Sequence, residues 1–381
     1  MDLTLSRCRL PVEAMKSAHC TFLTLALGLL VSITPAAMRA ADVGGLPVQV
    51  SANDTHLRFI GRFDHRDPAG PRCEWSGSEL EVRFQGTALN VCLKEKGEDL
   101  YQVVVDGVPT TQLVTNEHQT VYRVVEGLAD SPHVVGLFKR TEPLVGSTQF
   151  LGLQLPAGAK LLPPPPAPTR RIEFIGDSIT CGYGNEGKDQ SQHFSPQTEN
   201  NYLAYGAVAA RELNAEYVCV AWSGRTMWPT FTIPEIYDRT LPDDPTSRWD
   251  FGQWKPDVVL INLGTNDFRE KVPDQAKWTA AYRAFLKRVR TNYPRAQIYC
   301  AIGPMMSDSY PVGMHALSTL RTFVTEMLAA EHKDGHLQEH FFEFAQQRQE
   351  DGLGADWHPS VKTDRIMADK LCAALRSDQG W

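Results

Sequence analysis

Beyond residue 170 the apolar positions cluster in short, mainly apolar runs, at 172–175, 217–221, 258–263 and 297–302. A strand buried on both faces of a parallel sheet has no polar side to show, so it reads as a near-continuous apolar run of this kind. Between and after these runs the apolar residues recur at helical spacing, over 201–214, 278–292, 315–331 and 360–375. The alternation predicts an α/β domain whose parallel sheet is covered by helices. Upstream the pattern changes. Leu57–Ile60, Leu80–Phe84, Ala88–Leu93 and Tyr101–Val105 are short strand-like segments broken by turns such as Gln85-Gly86 and Asp106-Gly107. Strands at this spacing predict an antiparallel β-sandwich over 42–160. The segment from Leu161 to Pro168 is dominated by proline, which suits an extended polyproline connector, so 161–169 is read as a linker and 170–381 as the α/β domain.

The first 41 residues have a different logic. Arg7, Arg9 and Lys16 precede the apolar stretch from Phe22 to Ile33, and small residues follow at Ala36, Ala37, Ala40 and Ala41. That order is the order of a secretory signal, with Met15 as an alternative start. The apolar stretch is short for a membrane span, and no other segment reads as one. The expected location is secreted or periplasmic.

Composition narrows the function classes. The chain of 381 residues is 42% hydrophobic and 22% charged, which is ordinary for globular domains. A net charge of −7 without a long basic run leaves no electrostatic footprint for nucleic acid or an anionic membrane. Beyond the signal, Cys73, Cys92, Cys181, Cys219, Cys300 and Cys372 remain. Cys219 and Cys300 sit in apolar runs and are expected as buried thiols, whereas Cys73 and Cys92 flank a possible hairpin and are the best disulfide candidates. No Cys-x-x-Cys pair suggests zinc, and no metal or organic cofactor is expected.

The chemistry lies where the apolar runs stop. Ile172–Ile175 ends at Gly176-Asp177-Ser178, the carboxyl end of a buried strand, where open α/β sheets build their sites. Ser178 is therefore a candidate nucleophile. Val258–Ile261 leads into Asn262-Leu263-Gly264-Thr265-Asn266-Asp267, and Tyr217–Ala221 into Trp222-Ser223-Gly224-Arg225. Near the C-terminus, Asp356-Trp357-His358-Pro359 supplies a histidine. A serine hydroxyl is a poor nucleophile at neutral pH and needs a base within hydrogen-bond reach, the role of His358. The oxyanion of the tetrahedral intermediate needs preorganised donors, which the Ser178 N–H, the Gly224 N–H and the Asn266 side-chain amide would supply.

With Gly-Asp-Ser, Gly224, Gly-Thr-Asn-Asp and a terminal His-Pro in this order, residues 170–381 resemble the SGNH (GDSL-type) hydrolase superfamily. Together with the β-rich N-terminal region, the chain is most similar to carbohydrate esterase family 2. The resemblance implies a jelly-roll domain ahead of the hydrolase domain and an acetyl esterase acting on plant polysaccharides. It departs at one position. The superfamily usually keeps its acid three residues before the histidine, where this chain has Ala355, and Asp356 stands only two before. Asp356 is a candidate third member of a triad; the family resemblance equally allows a Ser-His dyad with a backbone carbonyl holding the imidazole. Asp177 and Asp267 are expected to brace their own loops.

Aromatic residues adjoin every motif, and aromatic faces suit the apolar faces of sugar rings. Trp228 and Trp357 are the candidates for a sugar platform, Tyr183 for the wall of the nucleophile loop, and core packing is the competing role for each. His332, His336 and His340 recur at helical spacing, but Gly335 interrupts them and a metal face is not expected. The expected partner is an acetylated polysaccharide or oligosaccharide. The expected function is that of a serine esterase releasing acetyl groups from xylan or glucomannan. The alternatives are an esterase of bacterial glycans or short-chain lipids, and a protein that chiefly binds polysaccharide.

Overall fold

The computed structural model describes residues 47–381; the expected signal at 1–41 lies outside the described residues. Residues 48–162 form two antiparallel sheets. In one, the strands run in the order 48–51, 146–155, 89–97 and 121–125, with 72–73 also on 146–155; in the other the order is 160–162, 79–86, 131–139, 100–105 and 108–114, with 57–60 on 79–86. Strand 79–86 shows why the sandwich closes. Buried and half-buried positions alternate along it, so Leu80, Val82 and Phe84 all face inward, where they meet Val91, Leu93, Val135 and Leu137. Each such side chain gains about 1.5–3 kcal/mol on full burial. The proline-rich segment does not begin as a free connector, because Leu161 and Leu162 pair with Phe84 and Arg83 at the edge of the sandwich.

The expected Cys73–Cys92 bridge is absent: both thiols are free. The strands carrying Cys73 and Cys92 both pair with strand 146–155, at Thr148 and Gly152 respectively. One strand therefore separates them, a spacing of roughly 9–10 Å between non-adjacent strands, beyond the reach of a disulfide. Cys219 and Cys300 are buried thiols as expected.

The C-terminal domain holds five parallel strands: β1 (Arg170–Gly176), β2 (Ala215–Ala221), β3 (Val258–Asn262), β4 (Gln297–Ile302) and β5 (Glu339–Glu343), in the order β2-β1-β3-β4-β5. The strand β5 lies at the edge and has only Phe341 and Phe342 as apolar residues, so the apolar pattern alone does not predict it. The helices are α1 (Ser178–Cys181), α2 (Tyr205–Glu212), α3 (Gln275–Asn292), α4 (Ala316–Lys333) and α5 (Val361–Gln379). Residues of α3 and α4 pack on one face of the sheet with Trp278, Phe285 and Phe323, and those of α2 and α5 on the other with Val208, Met367 and Leu371. The two domains share a buried ion pair, Arg62 of the sandwich with Glu173 of β1 at 3.2 Å. Among the described residues no helix is long and apolar enough to cross a membrane.

The topology itself assembles a site. Gly176 at the end of β1 is in register with Ala221 at the end of β2 and with Asn262 at the end of β3. The chain leaves β1 toward one neighbour and later returns on the other side, which opens a crevice at the carboxyl edge. The loops carrying Ser178, Gly224 and Asn266 therefore emerge side by side.

Candidate active site

Asp177 caps α1, its carboxylate accepting from the Ile179 N–H at 3.1 Å, and Ser178 is the first residue of that helix. A side chain larger than hydrogen at Gly176 would collide with Thr180, 2.0 Å from the position of a Cβ, so the strand-to-helix turn requires glycine there. Ser178 is 7% exposed and its Oγ lies 2.8 Å from His358 Nε2. On the other side of the ring, Nδ1 lies 3.1 Å from the Ala355 carbonyl. A carbonyl oxygen only accepts, so the proton sits on Nδ1, which leaves the Nε2 lone pair free to receive the serine proton. Burial lowers the His358 pKa to about 4, against the Ala355 and Asp356 backbone and the Asp356 charge, which raise it. The imidazole is therefore neutral at neutral pH, the form in which it could accept a proton.

Asp356 does not hold the imidazole. Its Oδ1 accepts from His193 Nδ1 at 2.8 Å, and its Oδ2 from the Tyr183 hydroxyl at 3.0 Å and the Phe194 N–H at 2.9 Å. Burial raises this carboxyl, but the three hydrogen bonds outweigh it and leave the pKa below its usual value. The reason is backbone direction. Asp356 and Trp357 both have left-handed torsions, with φ of 50° and 66°, and this turn sends the Asp356 side chain away while bringing the Ala355 carbonyl back to His358. Two such residues in succession cost on the order of 1–3 kcal/mol each. The turn is held by bonds from the Ala355 N–H to the Gly184 carbonyl at 2.9 Å and from the Asp356 N–H to Gln192 at 3.0 Å. The Asp356 carboxylate packs toward the imidazole through Tyr183, whose ring lies 4.2 Å from that of His358 and stacks on Phe194 at 4.4 Å.

The proposed oxyanion donors come from the neighbouring loops. Gly224 has φ +78°, a conformation in which a side chain is strained, and a Cβ there would meet only the edge of Phe231 at 3.8 Å. Asn266 Nδ2 donates to the Arg225 carbonyl at 3.0 Å and to Asp177 at 3.3 Å, tying the Gly224 loop to the turn at Ser178. Asp267 braces the same loops by accepting from the Met227 and Trp228 N–H groups at 3.0 Å and 2.9 Å and from Trp278 Nε1 at 2.7 Å. Burial raises both Asp177, to about 7, and Asp267.

The carbohydrate esterase 2 N-terminal model matches residues 59–165, and the GDSL-like lipase/acylhydrolase family matches residues 174–366. A solved family two carbohydrate esterase from Clostridium thermocellum, in complex with cellohexaose, is 42% identical with a TM-score of 0.81, covering 85% of this chain and 99% of that one. The chain belongs to carbohydrate esterase family 2. Among curated proteins, the cellulase/esterase CelE of Acetivibrio thermocellus is 43% identical over 331 residues, 85% of this chain and 40% of CelE. An acetylxylan esterase / glucomannan deacetylase of Cellvibrio japonicus is 29% identical over 381 residues, covering 93% of this chain and 97% of that protein. As a member of this family the chain is a carboxylic ester hydrolase.

Within this family 2 esterase the candidate aromatic residues fall in different settings. Trp357 is 55% exposed beside His358, whereas Trp228 is half-buried against the core. The histidines at helical spacing do not converge: His332 bonds the Glu339 carbonyl at 2.8 Å, and His340 bonds Gln297 at 2.7 Å. A cavity of about 660 Å³ lined by Arg283, Arg290, Glu331 and His336 lies between α3 and α4 and includes none of the motif residues. Two side chains of the site went unread in the sequence. Arg225, buried, has its guanidinium over Trp222 at 4.6 Å and Phe231 at 4.2 Å and stiffens the Gly224 loop. The second is Glu142, which enters from the sandwich to bond Ser223. An arginine beside aromatics is a weak local signal; Glu142 has none.

Proposed function

We propose that this esterase is exported and removes O-acetyl groups from plant cell-wall polysaccharides, acetylated xylan or glucomannan, through an acyl-enzyme. The observation that carries the reading is the 2.8 Å contact of Ser178 Oγ with His358 Nε2, with the opposite ring nitrogen on a backbone carbonyl. Ser178 Oγ attacks the acetyl carbonyl as His358 takes its proton. The Ser178 and Gly224 N–H groups receive the oxyanion, and the Asn266 amide joins them by exchanging its 3.3 Å bond to Asp177 for one to the oxyanion. Collapse expels the sugar oxygen, which takes the proton back from His358, and water then releases acetate by the same steps. With no carboxylate on the imidazole, the Ala355 carbonyl dipole supports the transient imidazolium. Exposed Trp357 offers a ring face for a pyranose beside the base. The substrate class draws on the acetylxylan esterase and glucomannan deacetylase activities named for the relative, and export on the signal-like order of residues 1–41.

Acetate release from acetylated xylan, glucomannan and peptidoglycan, measured beside a Ser178→Ala variant, tests this reading. Release from the plant polymers that vanishes in the variant is expected, with the melting temperature nearly unchanged. Turnover retained by the variant, or release from peptidoglycan alone, would overturn it. The cellohexaose complex of the relative favours a second reading in which the same cleft also binds unacetylated β-glucan; affinity electrophoresis on glucan tests it.

A further inference from the structure

We propose that Glu142, a residue of the sandwich, is a positioning residue for the oxyanion loop, so that the N-terminal domain forms part of the catalytic apparatus. The inference rests on the reading of the Gly224 N–H as an oxyanion donor. Glu142 is fully buried, and its Oε2 accepts from the Ser223 N–H at 2.7 Å while its Oε1 accepts from the Ser223 hydroxyl. The Cys181 thiol, at the end of the helix that begins with Ser178, also approaches Oε2, at 3.8 Å. One carboxylate thus touches the nucleophile's helix and the residue directly before Gly224. The peptide joining Ser223 to Gly224 carries the N–H in question, and holding Ser223 at both its backbone nitrogen and its hydroxyl fixes where that N–H points.

The segment that carries this carboxylate is itself held from both domains. The Glu142 N–H donates to Glu199 Oε2 at 3.1 Å, and the preceding Thr141 hydroxyl donates to Asp99 at 2.7 Å. Asp99 in turn pairs with buried Lys139 at 2.7 Å, and the Arg140 carbonyl accepts from the Asn201 N–H at 3.0 Å. The segment from Lys139 to Glu142 is therefore docked rigidly on the hydrolase domain. Preorganisation of this kind is what an oxyanion hole needs, because a donor that must turn at the moment of reaction loses much of its worth.

The test uses the whole chain and p-nitrophenyl acetate, with an alkylboronic acid as a probe that forms a tetrahedral adduct on a serine hydroxyl. Losing an oxyanion donor outright costs about 10²–10³ in kcat, so a donor left misdirected by Glu142→Ala should cost about 30- to 100-fold in kcat, with KM little changed and boronate affinity weakened in step. Glu142→Gln accepts from the Ser223 N–H and donates to its hydroxyl, keeping the geometry without the charge, and should stay within about five-fold of wild type. A folded Glu142→Ala that keeps kcat within about three-fold overturns the proposal, as does an equal loss in the Gln and Ala variants. Should Glu142→Ala fail to fold, Ser223→Ala removes one of the two contacts and should lower kcat about three- to ten-fold at constant KM; no change refutes the role. Turnover in Ser178→Ala would instead strike the acyl-enzyme reading and is scored separately.

Discussion

Replacing Asp356 with asparagine separates a triad from a dyad, because it removes the charge and leaves the shape. Alanine is the poorer choice. At φ 50° asparagine and aspartate tolerate the left-handed backbone, whereas alanine adds strain to the turn that carries the Ala355 carbonyl. In Asp356→Asn the amide oxygen takes the place of Oδ2 and still accepts from the Tyr183 hydroxyl and the Phe194 N–H. The amide nitrogen faces His193 Nδ1, which accepts in its other tautomer. Only the charge is lost. Were that charge the support of the imidazolium, the loss would be about 10⁴ in kcat, or about 5.4 kcal/mol, as in triads with the same change. Because the His358 Nδ1 partner is the Ala355 carbonyl, the expected loss is below about ten-fold, or about 1.4 kcal/mol, through slight loosening of Tyr183 against the imidazole. Steady-state kcat and KM on p-nitrophenyl acetate and acetylated xylan, with the melting temperature, decide it. A loss beyond about a thousand-fold in a normally folded variant would refute the dyad.

The pH profile supplies an independent check. The folded pKa of His358 is depressed from 6.5 to about 4, so the active neutral imidazole persists until the pH falls through that value; kcat/KM should be flat through pH 6–7 and fall only near pH 4. An acid limb centred near 6.5 would contradict the burial argument. Trp357→Ala should raise KM on acetylated xylan about three- to ten-fold and leave p-nitrophenyl acetate turnover unchanged, since one stacked aromatic contact is worth on the order of 0.5–1.5 kcal/mol; an equal effect on both substrates would remove its sugar-platform role. Dialysis against EDTA should leave acetate release intact, because the proposed donors to the oxyanion are protein groups; loss restored by added metal would overturn this.

What the chain determined by itself is local. A strand buried on both faces must be mainly apolar, so the points where Ile175, Ala221 and Ile261 give way to polar loops could be located residue by residue, and with them Ser178, Gly224 and Asn266. The inward alternation of Leu80, Val82 and Phe84 carried the sandwich in the same way. Whatever depended on direction or on distant pairing was decided only by the tertiary structure. Ser178 and His358 lie 180 positions apart, and their contact exists because β1 and the start of α5 meet at one sheet edge. The spacing of Asp356 from His358 could not tell which group would orient the imidazole, since two successive left-handed residues turn the carboxylate out and a carbonyl in. Cys73 and Cys92 were kept apart by a strand inserted between theirs. Glu142 reads as one more acidic residue in a chain of them; its place beside Ser223 arises because two separately legible domains dock, and docking depends on surface shapes that no local period encodes.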